Sequence, residues 1–326
     1  MDVPLWLWAV FGATVIAGLL VDLVAHRGPH VIGFKEALRW SVLWVGLSLV
    51  FAVLVAVSVS PTASVEFTTA WLLEKSLSVD NLFVFALIFG YFNVPREYQH
   101  RVLFLGVLGA LVFRGIFLLL GVAVVQRFTV VLFVFAAILL YSAYKLLKNN
   151  EETYDPGKSM AVRLVRKVIP VQEEYSGARF FVRSAGKWVA TPLLVVVAAI
   201  EAADIVFAVD SVPAVLAVSD DPLIVYSSNA FAILGLRALY FLLSGMLERF
   251  HYLSTGLAII LAFIGVKLML QAAHKTISTA VPEIPSLVSL GVIVVVLTIS
   301  VVLSIRRPLP EEPTRPDALN ATEKPD

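Results

Sequence analysis

Cysteine is absent from the 326-residue chain. That removes disulfides, thiolate metal ligands and any thiol redox chemistry carried by the chain itself. Charge is scarce too: Asp, Glu, Lys and Arg make up 15% of the residues, against about 25% in ordinary soluble domains. A formal net charge of +1 offers no electrostatic case for nucleic acid. The five histidines, at positions 26, 30, 100, 251 and 274, sit close to the ends of apolar runs, and no pair has H-x-x-x-H spacing on one helix. A zinc-type site therefore has little support. Neither G-x-S-x-G nor H-E-x-x-H occurs, so an intramembrane enzyme is the weakest reading and no cofactor is expected.

What fills the chain instead is apolar. Hydrophobic residues make up 59% of it and the mean hydropathy is +0.89. The excess runs over almost the whole length, which excludes a signal peptide or a single anchor and predicts an all-α polytopic membrane protein. At roughly 20 apolar residues per crossing, nine segments qualify: about 4–25, 40–59, 65–90, 102–125, 128–147, 188–218, 223–246, 251–272 and 286–305. The third qualifies only if Glu74 and Asp80 lie inside the membrane, and the sixth has the same problem. The short junctions 125–128 and 247–250 can hide re-entrant or tilted pieces.

Basic residues collect in alternate loops: 26–39, around Arg96 and Arg101, the long 148–187 loop, and the tail from Arg306. The positive-inside bias then predicts a multi-pass protein of the cytoplasmic (inner) membrane, N-terminus outside and C-terminus cytoplasmic. The expected organisation is a transmembrane domain over 1–305 that contains the cytoplasmic loop 148–187, followed by a disordered Pro- and charge-rich tail at 306–326. The loop mixes acids with bases and reads as a folded or membrane-skimming segment. A polybasic lipid-binding strip is the weaker alternative. Trp6, Trp8, Trp40, Trp44 and Trp188 read as interface anchors.

The chain also repeats itself. Placing 74-EKSLSVDNLFVFALIF-89 on 204-DIVFAVDSVPAVLAVS-219 matches Glu74 with Asp204, Asp80 with Asp210 and Asn81 with Ser211. Further on, Arg114 meets Arg237, Arg127 meets Arg249 and Lys145 meets Lys267. Each copy holds three helices, about 65–147 and 188–272, so helices three to five and six to eight are expected to have inverted topology. Such repeats build a midplane site at their interface and permit alternating access.

Five acids fall deep in these two helices: Glu74, Asp80, Glu201, Asp204 and Asp210. A lone carboxylate at the bilayer centre costs at least about 2.5–3.5 kcal/mol, so pairing, protonation or a bound cation must offset it. Glu74, Ser78 and Asn81 share one helical face, as do Glu201, Asp204, Ala208 and Ser211. Asp80 and Asp210 lie about 120° away, on the flank of a cavity or beyond a helix break. Pro213 favours a break in the second copy, freeing the Val209 carbonyl. Carboxylate, amide, hydroxyl and carbonyl oxygens suit a hard divalent cation, Mg²⁺, Ca²⁺ or Mn²⁺. The competing reading is an internal salt-bridge network with Lys75, Arg114, Arg237 and Lys267. Asp22 either lines a path or pairs with first-loop bases, and Lys145 and Lys267 snorkel or bind a carboxylate. Glu201 has no acidic counterpart, since its repeat position is Trp71, so an asymmetric site is expected.

The stretches 74-EKSLSVDNLFVF-85, 201-EAADIVFAVDSVPAV-215 and 229-NAFAILGLRALYFLL-243 closely resemble the TerC family of integral membrane proteins, in particular its Alx-like branch with a long middle loop and a ninth helix. The resemblance spans about residues 5–305. It implies a metal-site set of Glu74, Asp80, Asn81, Glu201, Asp204, Asp210 and Ser211, a distant relationship to the LysE exporter superfamily, and Mn²⁺ as the ion. The family's redox description finds no chemistry of its own in a cysteine-free chain. The resulting expectation is Mn²⁺ export, with protons as a coupling ion compatible with clustered acids. The alternatives are a transporter of another cation such as Ca²⁺, or a non-transporting scaffold or sensor in a metal or tellurite stress response.

Overall fold

A computed structural model describes residues 3–25, 32–148, 157, 159–184, 187–244 and 252–306. The junction at 247–250 and the tail beyond Arg306, where re-entrance and disorder are expected, lie outside the described residues.

Helices follow the apolar segments with shifted ends. They are α1 (Leu5–Ala25), α2 (Phe34–Ser58), α3 (Pro61–Tyr91), α4 (Arg96–Arg127), α5 (Val131–Leu147), α7 (Pro192–Leu216), α8 (Pro222–Leu234), α9 (Leu236–Leu243), α10 (Tyr252–Thr276) and α11 (Ser286–Arg306). Between α5 and α7 come a short helix α6 (Met160–Val168) and a hairpin of β1 (Phe181–Ser184) and β2 (Lys187–Ala190). The start of α3 is earlier than apolarity suggests. The Ser60 side chain accepts from the Ala63 amide at 3.0 Å and Pro61 occupies the first helical position, a strong start signal. Asp221 does the same for α8, accepting from the amides of Leu223 at 3.0 Å and Ile224 at 3.4 Å. The junction 125–128 is the end of α4 and its cap, and Phe128–Val130 turn directly into α5.

Seven described helices are long and apolar enough to cross a membrane, with α8 and α9 counted as one stretch. By the same measure α5 is short at 17 residues. Charge, not length, keeps α3 out, since its 31 residues reach about 46 Å. The protein is therefore a helical polytopic membrane protein whose central helix is also a charged one. α3 packs against α2, α7, α8, α9, α10 and α11. Each charged group on it must be satisfied by protein, because lipid offers it nothing.

Pro213 does not break its helix. α7 runs on to Leu216, and the Ala217 amide bonds to the Pro213 carbonyl at 3.0 Å. The proline sits in the last turn, where only one upstream carbonyl loses a partner. The interruption comes in the next span, between α8 and α9 at Gly235. There the Lys75 ammonium of α3 donates to the Ala232 carbonyl at 2.8 Å. A cation at the C-terminal end of a half-helix meets the negative end of its dipole. A Cβ on residue 235 would lie 2.7 Å from Lys75 Nζ and 3.2 Å from Trp44 Cβ, so a side chain there would press on both. Trp44 is thus a core residue rather than an interface anchor: it is buried, and it also packs on Gly18 of α1. Trp6 and Trp188 are largely exposed.

Around α3, α4 and α7 the apolar core is two-tiered. One tier joins Ala70–Leu77 of α3, Leu118–Val125 of α4 and Ala208–Leu216 of α7 to α5 and α10. The other joins Leu82–Phe89 of α3, Val102–Ala110 of α4 and Leu193–Ala203 of α7 to α9. In α3, α4 and α7 alike the change of tier falls where the polar residues lie: at Ser78 and Asn81, at Arg114, and at Asp204.

Candidate functional site

The polar layer is built around Arg114, one of the largest fully buried side chains. Its Nη2 donates to Asp204 Oδ1 at 2.7 Å and its Nε to Asp204 Oδ2 at 3.2 Å. Its Nη1 forms an ion pair with Glu74. One guanidinium on α4 therefore holds two carboxylates, one from α3 and one from α7, all but excluded from solvent. The planar fork of arginine suits this; a lysine ammonium would not span both. Asn81 joins the group: in the orientation its neighbours require, its amide oxygen accepts from Arg114 Nη2 at 3.0 Å and its nitrogen donates to the Leu77 carbonyl at 3.1 Å.

Glu201 stands one turn before Asp204 on α7. Its carboxylate lies directly over Gly109 of α4, so closely that a Cβ there would overlap it. One of its oxygens, Oε2, is buried without a hydrogen-bond partner. The hydroxyls of Ser78 and Ser211 and the amide nitrogen of Asn229 are likewise buried and unpartnered. An unpaired buried polar atom costs about 1–3 kcal/mol, so each of these is a feature to be explained.

The shared faces read from spacing are visible in burial. Glu74, Ser78 and Asn81 are all buried, as are Asp204, Ala208 and Ser211, with Glu201 half-buried, while Val206 and Val209 on the far side of α7 are exposed. Asp210 leaves the group. It turns to α5, where Ser142 Oγ donates to its Oδ1 at 2.5 Å and Lys145 lies within electrostatic reach. The side chain of Asp80 lies outside the described residues. Among the described residues no three His, Cys, Asp or Glu side chains converge as a ready metal cage. Glu74 and Asp204 share one arginine instead.

The two repeat-matched arginines differ. Arg237 pairs with Asp22 of α1. Asp22 therefore has a bundle arginine as a partner. Lys267 is buried within reach of Glu66 and Glu283, and Glu66 accepts from Ser219 Oγ at 2.7 Å. Sequence reasoning missed Gly109 and Ser142, which carry no charge. Asn229 opens the 229–243 stretch that carries the family resemblance.

A sequence model described as the integral membrane protein TerC family matches residues 59–308. An uncharacterized membrane protein of Myxococcus xanthus is 45% identical over 300 residues, covering 92% of each chain. Alx of Salmonella typhi, described provisionally as a membrane-bound redox modulator, is 42% identical over 91% of this chain and 93% of its own. Its namesake in Escherichia coli K12 is 41% identical over 91% and 94%. No solved structure matches the chain. The polar stretches of α3, α4 and α7 all fall inside the matched region, and the chain belongs to the TerC family of integral membrane proteins, in its Alx-like branch.

Proposed function

We propose that the chain exports a hard divalent cation, Mn²⁺ by family resemblance, across the cytoplasmic membrane by alternating access. The observation that carries this reading is the shared guanidinium: Arg114 occupies the place between Glu74 and Asp204 that a cation would take. On the same two helices a buried Glu201 oxygen and the Ser78 and Ser211 hydroxyls are without partners. All are oxygen donors of the kind Mn²⁺ accepts. In this arrangement Arg114 neutralises the acids while no ion is bound. An entering ion takes over Asp204 or Glu74, and Arg114 swings away. Asp80 and Asp210, on the flank, belong to the same proposed ligand set as path or alternate-state ligands.

Packing supports the inverted-repeat reading. Exchanging α3 with α7, α4 with α8–α9 and α5 with α10 turns the α3–α8 contact into the α7–α4 contact and leaves α5 against α10. With α3 and α5 counted, the crossings number nine, the N-terminus lies outside and residues 148–187 are cytoplasmic. Thiol redox chemistry is not available to a chain without cysteine.

The test is Mn²⁺ uptake by proteoliposomes under an imposed pH gradient. Wild-type protein should drive uptake that Asp204→Asn and Glu74→Gln abolish. Flux of Ca²⁺ with none of Mn²⁺ would reject the ion. A folded protein with no flux of either would favour the scaffold or sensor.

A further inference from the structure

The segment between α5 and α7 carries an apolar stripe that the bundle does not cover. In α6, Val162 is fully buried in the same cluster as Leu193, Val195 and Val196 of α7, with Val165 packed against it. This fixes α6 alongside the first turns of a spanning helix. On the adjoining face Met160, Leu164 and Val168 follow i, i+4, i+8 and are 85%, 60% and 69% exposed. The remaining arc holds Arg163, Arg166 and Lys167. The hairpin repeats the pattern. Arg183 pairs with Trp188 and Phe181 with Ala190, so Phe181, Arg183 and Trp188 share a face, and all three are exposed.

The segment is strapped in place rather than free. Tyr175 donates its hydroxyl to the Phe92 carbonyl at 2.6 Å, Arg101 donates to the Ala178 carbonyl at 2.8 Å, and the Thr191 hydroxyl donates to the Arg179 carbonyl at 2.7 Å. Burial raises the Tyr175 phenol above its ordinary pKa, which keeps it a donor. The straps tie the segment to the α3–α4 turn and to the start of α7, with Trp188 four residues before the span begins at Pro192. The exposed stripe therefore lies at the depth where hydrocarbon gives way to headgroups. There an apolar face with tryptophan and a basic flank fits one partner chemistry.

We propose that α6 and the β1–β2 hairpin form an anionic-phospholipid docking collar on the basic side of the membrane. Met160, Leu164, Val168, Phe181 and Trp188 enter the interface, and Arg166, Lys167 and Arg183 hold acidic headgroups. Charge complementarity selects this occupant: among described residues 159–190 only Glu173 and Glu174 oppose the bases. Each base near an anionic surface contributes roughly fivefold in binding. Because Val162 bears on the stretch of α7 that leads to Glu201 and Asp204, docking braces the helix that carries them.

The absence of cysteine makes a single-site probe direct. Full-length L164C, labelled with an environment-sensitive dye, is placed in nanodiscs of phosphatidylcholine alone or mixed with phosphatidylglycerol, and quenching by neutral acrylamide is measured. The expected result is at least about threefold weaker quenching with phosphatidylglycerol, abolished in the Arg166→Gln/Lys167→Gln/Arg183→Gln background. These side chains are exposed, and an unchanged elution profile checks that the variants fold. Equal quenching in both lipids overturns the proposal and leaves the stripe to a protein partner. A difference that survives charge removal overturns the headgroup assignment. Neither readout depends on metal flux, so it stands or falls apart from the export reading.

Discussion

Arg114 grips Asp204 through two hydrogen bonds, at 2.7 and 3.2 Å, across the contact between α4 and α7. The same guanidinium also pairs with Glu74 on α3. Three helices thus meet at one cation that belongs to the protein. In a low-dielectric layer between two apolar tiers this arrangement is tolerable only while all three partners are present.

Replacing Arg114 by Met should leave two buried carboxylates uncompensated and cost about 3–5 kcal/mol of stability. Arg114→Lys keeps the charge but loses the fork. It should retain most of the fold while reducing Mn²⁺ flux at least tenfold. Thermal unfolding in detergent read beside proteoliposome uptake separates the two effects. Equal flux in Arg114→Lys and wild type would remove the arginine from the transport cycle.

Gly109→Ala places a methyl group where the Glu201 carboxylate lies. The acid must swing off α4, so Mn²⁺ uptake should fall sharply, with a stability change in the range of overpacking, about 1–3 kcal/mol. Ala at the neighbouring Gly115, which has open space beside it, is the control and should behave as wild type. Normal uptake in Gly109→Ala would show that Glu201 does not act from its observed position.

Lys75→Met removes the ammonium from the Ala232 carbonyl. Loss of a charge-assisted hydrogen bond costs about 1.5–3 kcal/mol. Amide exchange at residues 236–239 should quicken before the rest of the bundle loosens. Exchange that rises uniformly instead would mean that the break at Gly235 is not held by this contact.

For Asp22 and Arg237 the prediction is non-additive. Each single change, Asp22→Asn or Arg237→Gln, removes one side of a buried ion pair and should destabilise by about 3–5 kcal/mol. The double variant should recover a large part of the loss, giving a coupling term of about 0.5–3 kcal/mol in a double-mutant cycle. Additive losses would deny the pair.

Ser142→Ala withdraws the hydroxyl that donates to Asp210. The acid is half-buried and Lys145 remains in reach, so the fold should change by no more than about 1 kcal/mol. If Asp210 serves the ion path, the apparent KM for Mn²⁺ shifts several-fold while Asp210→Asn abolishes flux. Unchanged kinetics in both variants would remove Asp210 from the path.

The class of the protein and the helices were plain in composition, because lipid forces long apolar runs. The faces of Glu74, Ser78 and Asn81 were plain too, because a helix has only one periodicity. Which acid meets which base was not. Arg114 and Arg237 occupy matched places in the repeat, yet one holds Glu74 and Asp204 and the other holds Asp22. The difference is set by what packs on each helix, and α1 lies outside the repeat. The break was misplaced for a similar reason. Pro213 announces itself but sits where its helix is already ending, whereas Gly235 works only because Lys75 and Trp44 crowd in from other helices. Gly109 and Ser142 matter for where they stand, which no local pattern encodes.

Glu74 and Lys75 are neighbours on α3, about 100° apart around its axis. One is tied to Arg114, and the other to the cut end of α8. Two pins set at different azimuths forbid a helix to roll, so α3 behaves as a keyed shaft rather than a rod in a sleeve. Turning it far enough to release the acid also releases the ammonium. Opening of the polar layer and flexing at Gly235 are therefore one mechanical event, and a probe on α9 should report what happens at Asp204.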